Sequence, residues 1–133
     1  MAPMLFAKAI LDGHPINVFN HGEMYRDFTY IDDVVEGIVR VLDRPPTGTG
    51  VPYRIYNVGR GAPVRLMDFI AELEKALGQN AEKIFLPLQP GDVASTHADV
   101  TALERDTGYR PETPLSEGIP RFVDWYRAFF LAP

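Results

Sequence analysis

Among the 133 residues, the side chain best placed to do chemistry is Arg26. Glu23, Asp27, Asp32 and Asp33 surround it in sequence, and a guanidinium can pair bidentately with a carboxylate or with a phosphate. Residue type leaves both uses open: a structural ion pair with Asp27 or the following helix cap, or a phosphate contact. Phe19 has the same double character, since an aromatic at a strand end either joins the core or stacks on a planar base. Asp92 closes the turn Gln89-Pro90-Gly91-Asp92, where it either orders the loop or accepts from a hydroxyl. Other chemistries find less support. His14, His21 and His97 are far apart, with no carboxylate at helical ligand spacing, so no metal site is expected. Ser95 and Ser116 lack a Gly-x-Ser-x-Gly setting and read as turn or cap residues. Gly48-Thr49-Gly50 and Gly59-Arg60-Gly61 each lack the third glycine and the strand-to-helix context of a dinucleotide cradle.

The elements that must position these residues are legible from periodicity. Met24 to Tyr30 alternates like a strand, with Met24, Arg26, Phe28 and Tyr30 on one face. A helix follows, capped by Asp32 or Asp33. Its apolar positions Val34, Val35, Ile38, Val39, Val41 and Leu42 cover most of the circumference and leave only the stripe Glu36, Arg40, Asp43 polar. Such a helix expects neighbours on several sides. Before it lie a helix over Pro3 to Leu11 and a short strand over Ile16 to Phe19. After it come a Gly/Pro-rich loop at 45–52, a strand over Tyr53 to Val58, and an amphipathic helix over Leu66 to Leu77 with Gly78 at its end. A strand over Ile84 to Leu88, a helix capped by Asp99 and ended by Gly108, and a last helix from Ser116 complete the chain. That last helix carries the face Ile119, Phe122, Val123, Tyr126, Phe129 and Phe130. The order α-β-β-α-β-α-β-α-α indicates an α/β arrangement, read as a single partial domain over residues 1–133.

Bulk composition narrows the function classes. Thirteen Lys+Arg against eighteen Asp+Glu give a net charge of −5, which argues against nucleic acid and anionic membranes as partners. No cysteine is present, so disulfides and thiolate chemistry are excluded. No apolar run approaches the roughly 20 residues of a membrane span, and Met-Ala-Pro-Met lacks the basic start of a signal peptide. The expectation is a cytoplasmic protein.

Taken together the motifs resemble a known family. Val18-Phe19-Asn20-His21-Gly22 followed by Arg26-Asp27-Phe28-Thr29-Tyr30-Ile31-Asp32-Asp33 is similar to the carboxyl-terminal part of extended short-chain dehydrogenase/reductase enzymes acting on nucleotide sugars. Within that group the resemblance is to the UDP-glucuronate 4-epimerases. Tyr56-Asn57-Val58-Gly59, Gly91-Asp92, Ala98-Asp99 and Gly108-Tyr109-Arg110-Pro111 follow in the family's order. The resemblance implies a UDP-sugar site: Asn17, Val18 and Phe19 against the uracil with backbone groups reading its edge, Arg26 on the pyrophosphate, and Asp92 on the ribose hydroxyls. Many relatives place a second arginine just before the Gly-Asp turn; Gln89 stands there in this chain.

The resemblance also marks what this sequence lacks. The family holds NAD in a glycine-rich loop and abstracts a proton with a Tyr-x-x-x-Lys pair, both in its amino-terminal part. None of Lys8, Lys75 and Lys83 lies four residues after a tyrosine. The expectation is therefore a chain that binds a UDP-sugar and, by itself, neither binds NAD nor catalyses. Such a chain corresponds to the last two-fifths or so of an epimerase begun at an internal methionine. The family's fold would put the central helix and the Tyr53 to Val58 strand in the Rossmann sheet and the rest in the substrate lobe. Without the remainder of that sheet the helix would leave apolar surface bare, worth about 25 cal/mol per Å², so self-association into homo-oligomers is expected. Two alternatives stay open: a stand-alone nucleotide-binding or dimerisation module, and part of a nucleotide-sugar dehydratase or decarboxylase.

Overall fold

The computed structural model describes residues 2–47 and 49–131. Met1 and Gly48, which belong to the readings of the amino terminus and of the 45–52 loop, lie outside them. In chain order the helices are α1 (Ala2–Leu11), α2 (Ile31–Leu42), α3 (Leu66–Leu77), α4 (Thr101–Thr107) and α5 (Leu115–Phe130). The strands are β1 (Ile16–Val18), β2 (Tyr25–Arg26), β3 (Val64–Arg65) and β4 (Lys83–Phe85), with a 3-10 turn at Phe19–Gly22. The result is the expected mixed α/β arrangement, in two compact units. The described residues of 1–26, 64–95 and 114–133 form the first, and those of 27–63 and 96–113 the second.

The first unit is organised by α3. Leu66, Phe69, Ile70, Leu73 and Leu77 recur at helical spacing and are all buried. Their partners in the core include Ala7 and Ile10 of α1, Ile16 and Val18 of β1, and Ile119, Val123 and Tyr126 of α5. Gly78 ends the helix in the left-handed region at φ 71°, and Gly78 N–H and Gln79 N–H close back on the carbonyls of Lys75 and Glu74 at 3.3 and 3.2 Å. The broad aromatic face expected on α5 is only half used. Phe129 and Phe130 are 70% and 50% exposed and pack with Trp125 on the helix's outer side. Pro114, not Ser116, precedes the first turn of α5, and its carbonyl accepts from Gly118 N–H at 2.9 Å.

Two small sheets serve the same unit. β1 and β4 run parallel, with Asn17 opposite Ile84 and Val18 opposite Phe85. β4 is shorter than the expected Ile84 to Leu88 because β1 ends at Val18: Leu86 N–H donates to Val18, and the Leu86 carbonyl then accepts from His21 N–H in the 3-10 turn. β2 and β3 run antiparallel, Tyr25 opposite Arg65. The expected Met24 to Tyr30 strand stops at Arg26, since Asp27 N–H turns to the Thr96 hydroxyl at 3.1 Å instead of a neighbouring strand.

In the second unit α2 packs with α4. Only Gly37 of α2 is buried, facing Val58, Leu103 and Tyr109. The polar stripe forms as expected, with Arg40 Nε donating to Glu36 at 2.6 Å. Neither candidate cap acts as one. The helix starts a residue earlier, at Ile31, and the Asp33 carboxylate accepts from Thr113 N–H at 3.0 Å, from Thr113 Oγ1 at 2.9 Å and from the Tyr109 hydroxyl at 3.3 Å. Ile31, Val35, Ile38, Val39 and Leu42 remain 48% to 72% exposed. Tyr53 to Val58 keeps the alternation of a strand without a ladder, because no partner strand reaches it among the described residues. Arg54 and Tyr56 turn to Asp106, while Val51, Tyr53 and Ile55 face outward at 71% to 80% exposure.

Burial pushes the Tyr109 phenol up to about 12, and the Asp33 carboxylate adds to the shift. The folded chain thus holds the neutral phenol more tightly than the unfolded chain, whose tyrosines ionise near about 10. That share of stability is complete below pH about 10 and disappears as the pH rises through about 12. Urea midpoints of the second unit are expected to fall across that interval and to fall less in Tyr109→Phe; parallel curves would refute the assignment. No helix of the described residues is long and apolar enough to cross a membrane.

Candidate functional site

All six predicted site residues lie in the first unit. β1 and β4 position the first three. In a parallel pair, alternate residues turn their backbone groups to the same neighbour. Ile16 N–H donates to Glu82 and Val18 C=O accepts from Leu86, so Ile16 and Val18 face β4 and the backbone groups of Asn17 and Phe19 face away from it. Val18 itself is fully buried. Its side chain is core and its carbonyl is engaged, which leaves Asn17 and Phe19 as the residues of this segment whose backbone groups are not turned to β4. Asn17 is exposed and Phe19 half-buried, where the chain enters the 3-10 turn.

Arg26 and Asp92 meet. β2 is flanked by β3 on one side and by Ser95 on the other, which sets Arg26 beside the 89–92 turn. In that turn Pro90 and Gly91, at φ 84°, occupy the two central positions, and Asp92 N–H closes on Gln89 C=O at 3.1 Å. Arg26 Nη2 donates to Asp92 Oδ1 at 2.9 Å and Nη1 to the Tyr25 carbonyl at 2.8 Å. The acidic neighbours in sequence are not its partners; the carboxylate that holds it is 66 residues away. Asp92 Oδ1 also accepts from Val93 N–H at 2.8 Å. One carboxylate oxygen thus orients the guanidinium, and Oδ2 is left to accept from a ligand. The pair is largely screened from solvent, with side chains 22% and 34% exposed. Gln89 is exposed and brings no charge, so Arg26 is the one cation at this turn among the described residues.

Asp27 was legible only as an acidic neighbour of Arg26. In the structure its Oδ2 accepts from Gly61 N–H at 3.0 Å and Ala98 N–H at 2.9 Å, while its buried Oδ1 has no hydrogen-bond partner. These partners lie 34 and 71 residues away, so no local pattern announces them. The same contacts decide whether the Gly59-Arg60-Gly61 run suits a dinucleotide phosphate. Its Gly61 amide already points at a carboxylate, and Gly59 is pressed against Ala98. The residues present do not fit NAD there. Two hollows, of about 290 Å³ around Asp27, Asn57 and His97 and of about 410 Å³ around Arg54, Arg105 and Asp106, are lined by none of the six predicted residues. Among the described residues no group of three His, Asp or Glu side chains is placed to hold a metal.

Residues 2–59 match the NAD dependent epimerase/dehydratase family. A probable UDP-glucuronate 4-epimerase of Rhizobium meliloti is 43% identical over 95% of this chain and 41% of its own length. This chain is similar to part of the nucleotide-sugar epimerases. An uncharacterized 37.6 kDa protein of Escherichia coli O111:H- is 50% identical over 98% of this chain and 43% of its own. UDP-glucuronic acid 4-epimerase from Bacillus cereus, solved with UDP-glucuronic acid and NAD, superposes with a TM-score of 0.84 at 32% identity, over 98% of this chain and 40% of the other. The chain thus spans about two-fifths of the length of the epimerase relatives it matches, and the likeness is to their carboxyl-terminal part.

Proposed function

We propose that residues 1–133 form the nucleotide-sugar-binding portion of an NAD-dependent UDP-glucuronate 4-epimerase, and that this portion alone binds the UDP-sugar without converting it. The Arg26–Asp92 pair carries the reading. A nucleoside diphosphate needs a cation for its phosphates, an acceptor for its ribose and a flat contact for its base. Arg26 supplies the first, Asp92 Oδ2 the second, and Phe19 with the outward backbone of Asn17 the third. NAD would supply hydride acceptance and return; no residue of this sequence provides the proton acceptor that must accompany it. The same reading places this protein in the cytoplasm.

Calorimetry of the 133-residue chain with UDP-glucuronate is expected to give a Kd in about the micromolar range. Arg26→Ala is expected to weaken it about 10- to 100-fold, the loss of one charge-assisted contact, and Arg26→Lys to recover part of it. Absent binding, or binding indifferent to Arg26, would overturn the site. Conversion to UDP-galacturonate by the chain with added NAD would overturn the inactivity.

The exposed face of α2 with Val51, Tyr53 and Ile55 favours a second property, self-association. An apolar helix face beside an unpaired extended edge is a template for a second copy. Light scattering at about 50 µM is expected to show dimers or larger species, and Val35→Glu with Ile55→Lys to return the monomer. A native chain that stays monomeric counts against it.

A further inference from the structure

The 410 Å³ hollow of the second unit belongs to no part of the UDP-sugar reading. Three guanidiniums converge on a single residue there. Arg105 donates through Nε and Nη2 to Asp106 Oδ1 and Oδ2 at 2.7 and 3.2 Å, Arg54 Nη1 to Oδ2 at 2.5 Å, and Arg44 Nη1 to the Asp106 backbone carbonyl at 2.6 Å. The Tyr56 hydroxyl donates to Oδ2 at 3.0 Å. The carboxylate is therefore saturated with donors, and its side chain is only 15% exposed, while those of Arg54 and Arg105 are 52% and 64% exposed. Three cations against one anion leave two positive charges in a concave space, in a chain whose net charge is −5. A guanidinium has five N–H donors. The contacts to Asp106 use two from Arg105 and one each from Arg54 and Arg44, so most of the donors remain for something else. Asp106 is held well below the usual carboxylate range, first by Arg105, so it acts as a fixed anionic hub that fans the three side chains into position.

We propose that this hollow is a binding site for a small phosphate dianion, either inorganic phosphate or the phosphoryl end of a phosphate monoester. A phosphate dianion matches the surplus charge, whereas a monocarboxylate would neutralise only one of the two. Thr47 also lines the hollow. An anionic membrane surface is disfavoured as the source, because the remainder of the chain would be repelled from it.

The test is a titration of the full 133-residue chain with inorganic phosphate and, in a second arm, with phenyl phosphate, followed by backbone amide shifts at Thr47, Arg54 and Asp106 and by calorimetry. Saturable shifts confined to this hollow are expected, with a Kd of about 1 mM at low salt. Arg105→Gln is expected to weaken binding about tenfold and Arg54→Gln with Arg105→Gln to abolish it. Because Arg105 is exposed, its variant keeps the fold, which the unchanged remainder of the amide spectrum verifies. Arg26→Ala is expected to leave phosphate binding here intact. Lack of saturable shifts up to about 20 mM, or shifts that persist in the double variant, would overturn the proposal. Either result leaves UDP binding through Arg26 standing, so the two readings fail separately.

Discussion

Replacing Asp27 by alanine is expected to destabilise the second unit by about 2–4 kcal/mol, because two backbone N–H groups lose their acceptor at once and a buried unsatisfied donor costs about 1–3 kcal/mol. Gly61 N–H at 3.0 Å and Ala98 N–H at 2.9 Å share the single oxygen Oδ2, so the carboxylate joins two segments with no ladder between them to substitute for it. Asp27→Asn separates the acceptor from the charge. An amide oxygen in the place of Oδ2 keeps both bonds, and the buried Oδ1, which has no partner, gives way to a neutral group. The amide variant, which keeps both bonds but buries an unpartnered NH2 group, is expected to fall between the alanine variant and the native chain. Urea unfolding measures the difference, and hydrogen exchange locates it: protection should vanish at the Gly61 and Ala98 amides in the alanine variant before it changes elsewhere. If the alanine and asparagine variants unfold together with the native chain, Asp27 is not the clamp described.

Gly59→Ala is the second large effect. A methyl group at position 59 would sit 2.4 Å from the Ala98 Cβ, where carbon atoms in contact keep about 3.5–4.0 Å, and 3.3 Å from Asp27 Oδ2. The new methyl group and the Ala98 Cβ are each fixed to backbone, so relief requires the 96–98 segment to move, and that motion pulls Ala98 N–H off Asp27. Overpacking of this kind costs about 1–3 kcal/mol, and the linked hydrogen bond places the expected loss at the upper end. Ala98→Gly removes the opposing methyl group. The double variant Gly59→Ala with Ala98→Gly is therefore expected to recover most of the loss, giving a coupling of about 1–2 kcal/mol between sites in contact. Additive losses would mean that the close approach is not what requires glycine at 59.

The two sites also show why residue type alone leaves the role of Arg26 open. Its sequence neighbours Asp27 and Asp33 are both ion-pair candidates by residue type, and both are engaged elsewhere. Asp27 turns to the 61 and 98 amides, Asp33 to Thr113 and Tyr109, and the partner of Arg26 comes from a turn 66 residues on. A carboxylate chooses among donors by distance and solvent exclusion, and both are set by the packed chain rather than by proximity along it.

By itself the sequence determined the helix of residues 66–77 to the residue, the turn at 89–92, the α/β class and, through ordered motifs, the kinship with nucleotide-sugar epimerases. These rest on local rules: apolar spacing at 3.6 residues, glycine where the backbone must be left-handed, and residue types kept in order. Only the tertiary structure decided that Val18 is core while Asn17 and Phe19 present their backbone outward, that residues 53–58 find no ladder partner, that Phe129 and Phe130 stay on the surface, and that three arginines gather on Asp106. Each of those outcomes depends on which distant segment fills the space beside a residue, and hydrogen-bond partners tens of residues apart leave no periodic trace in the chain that joins them.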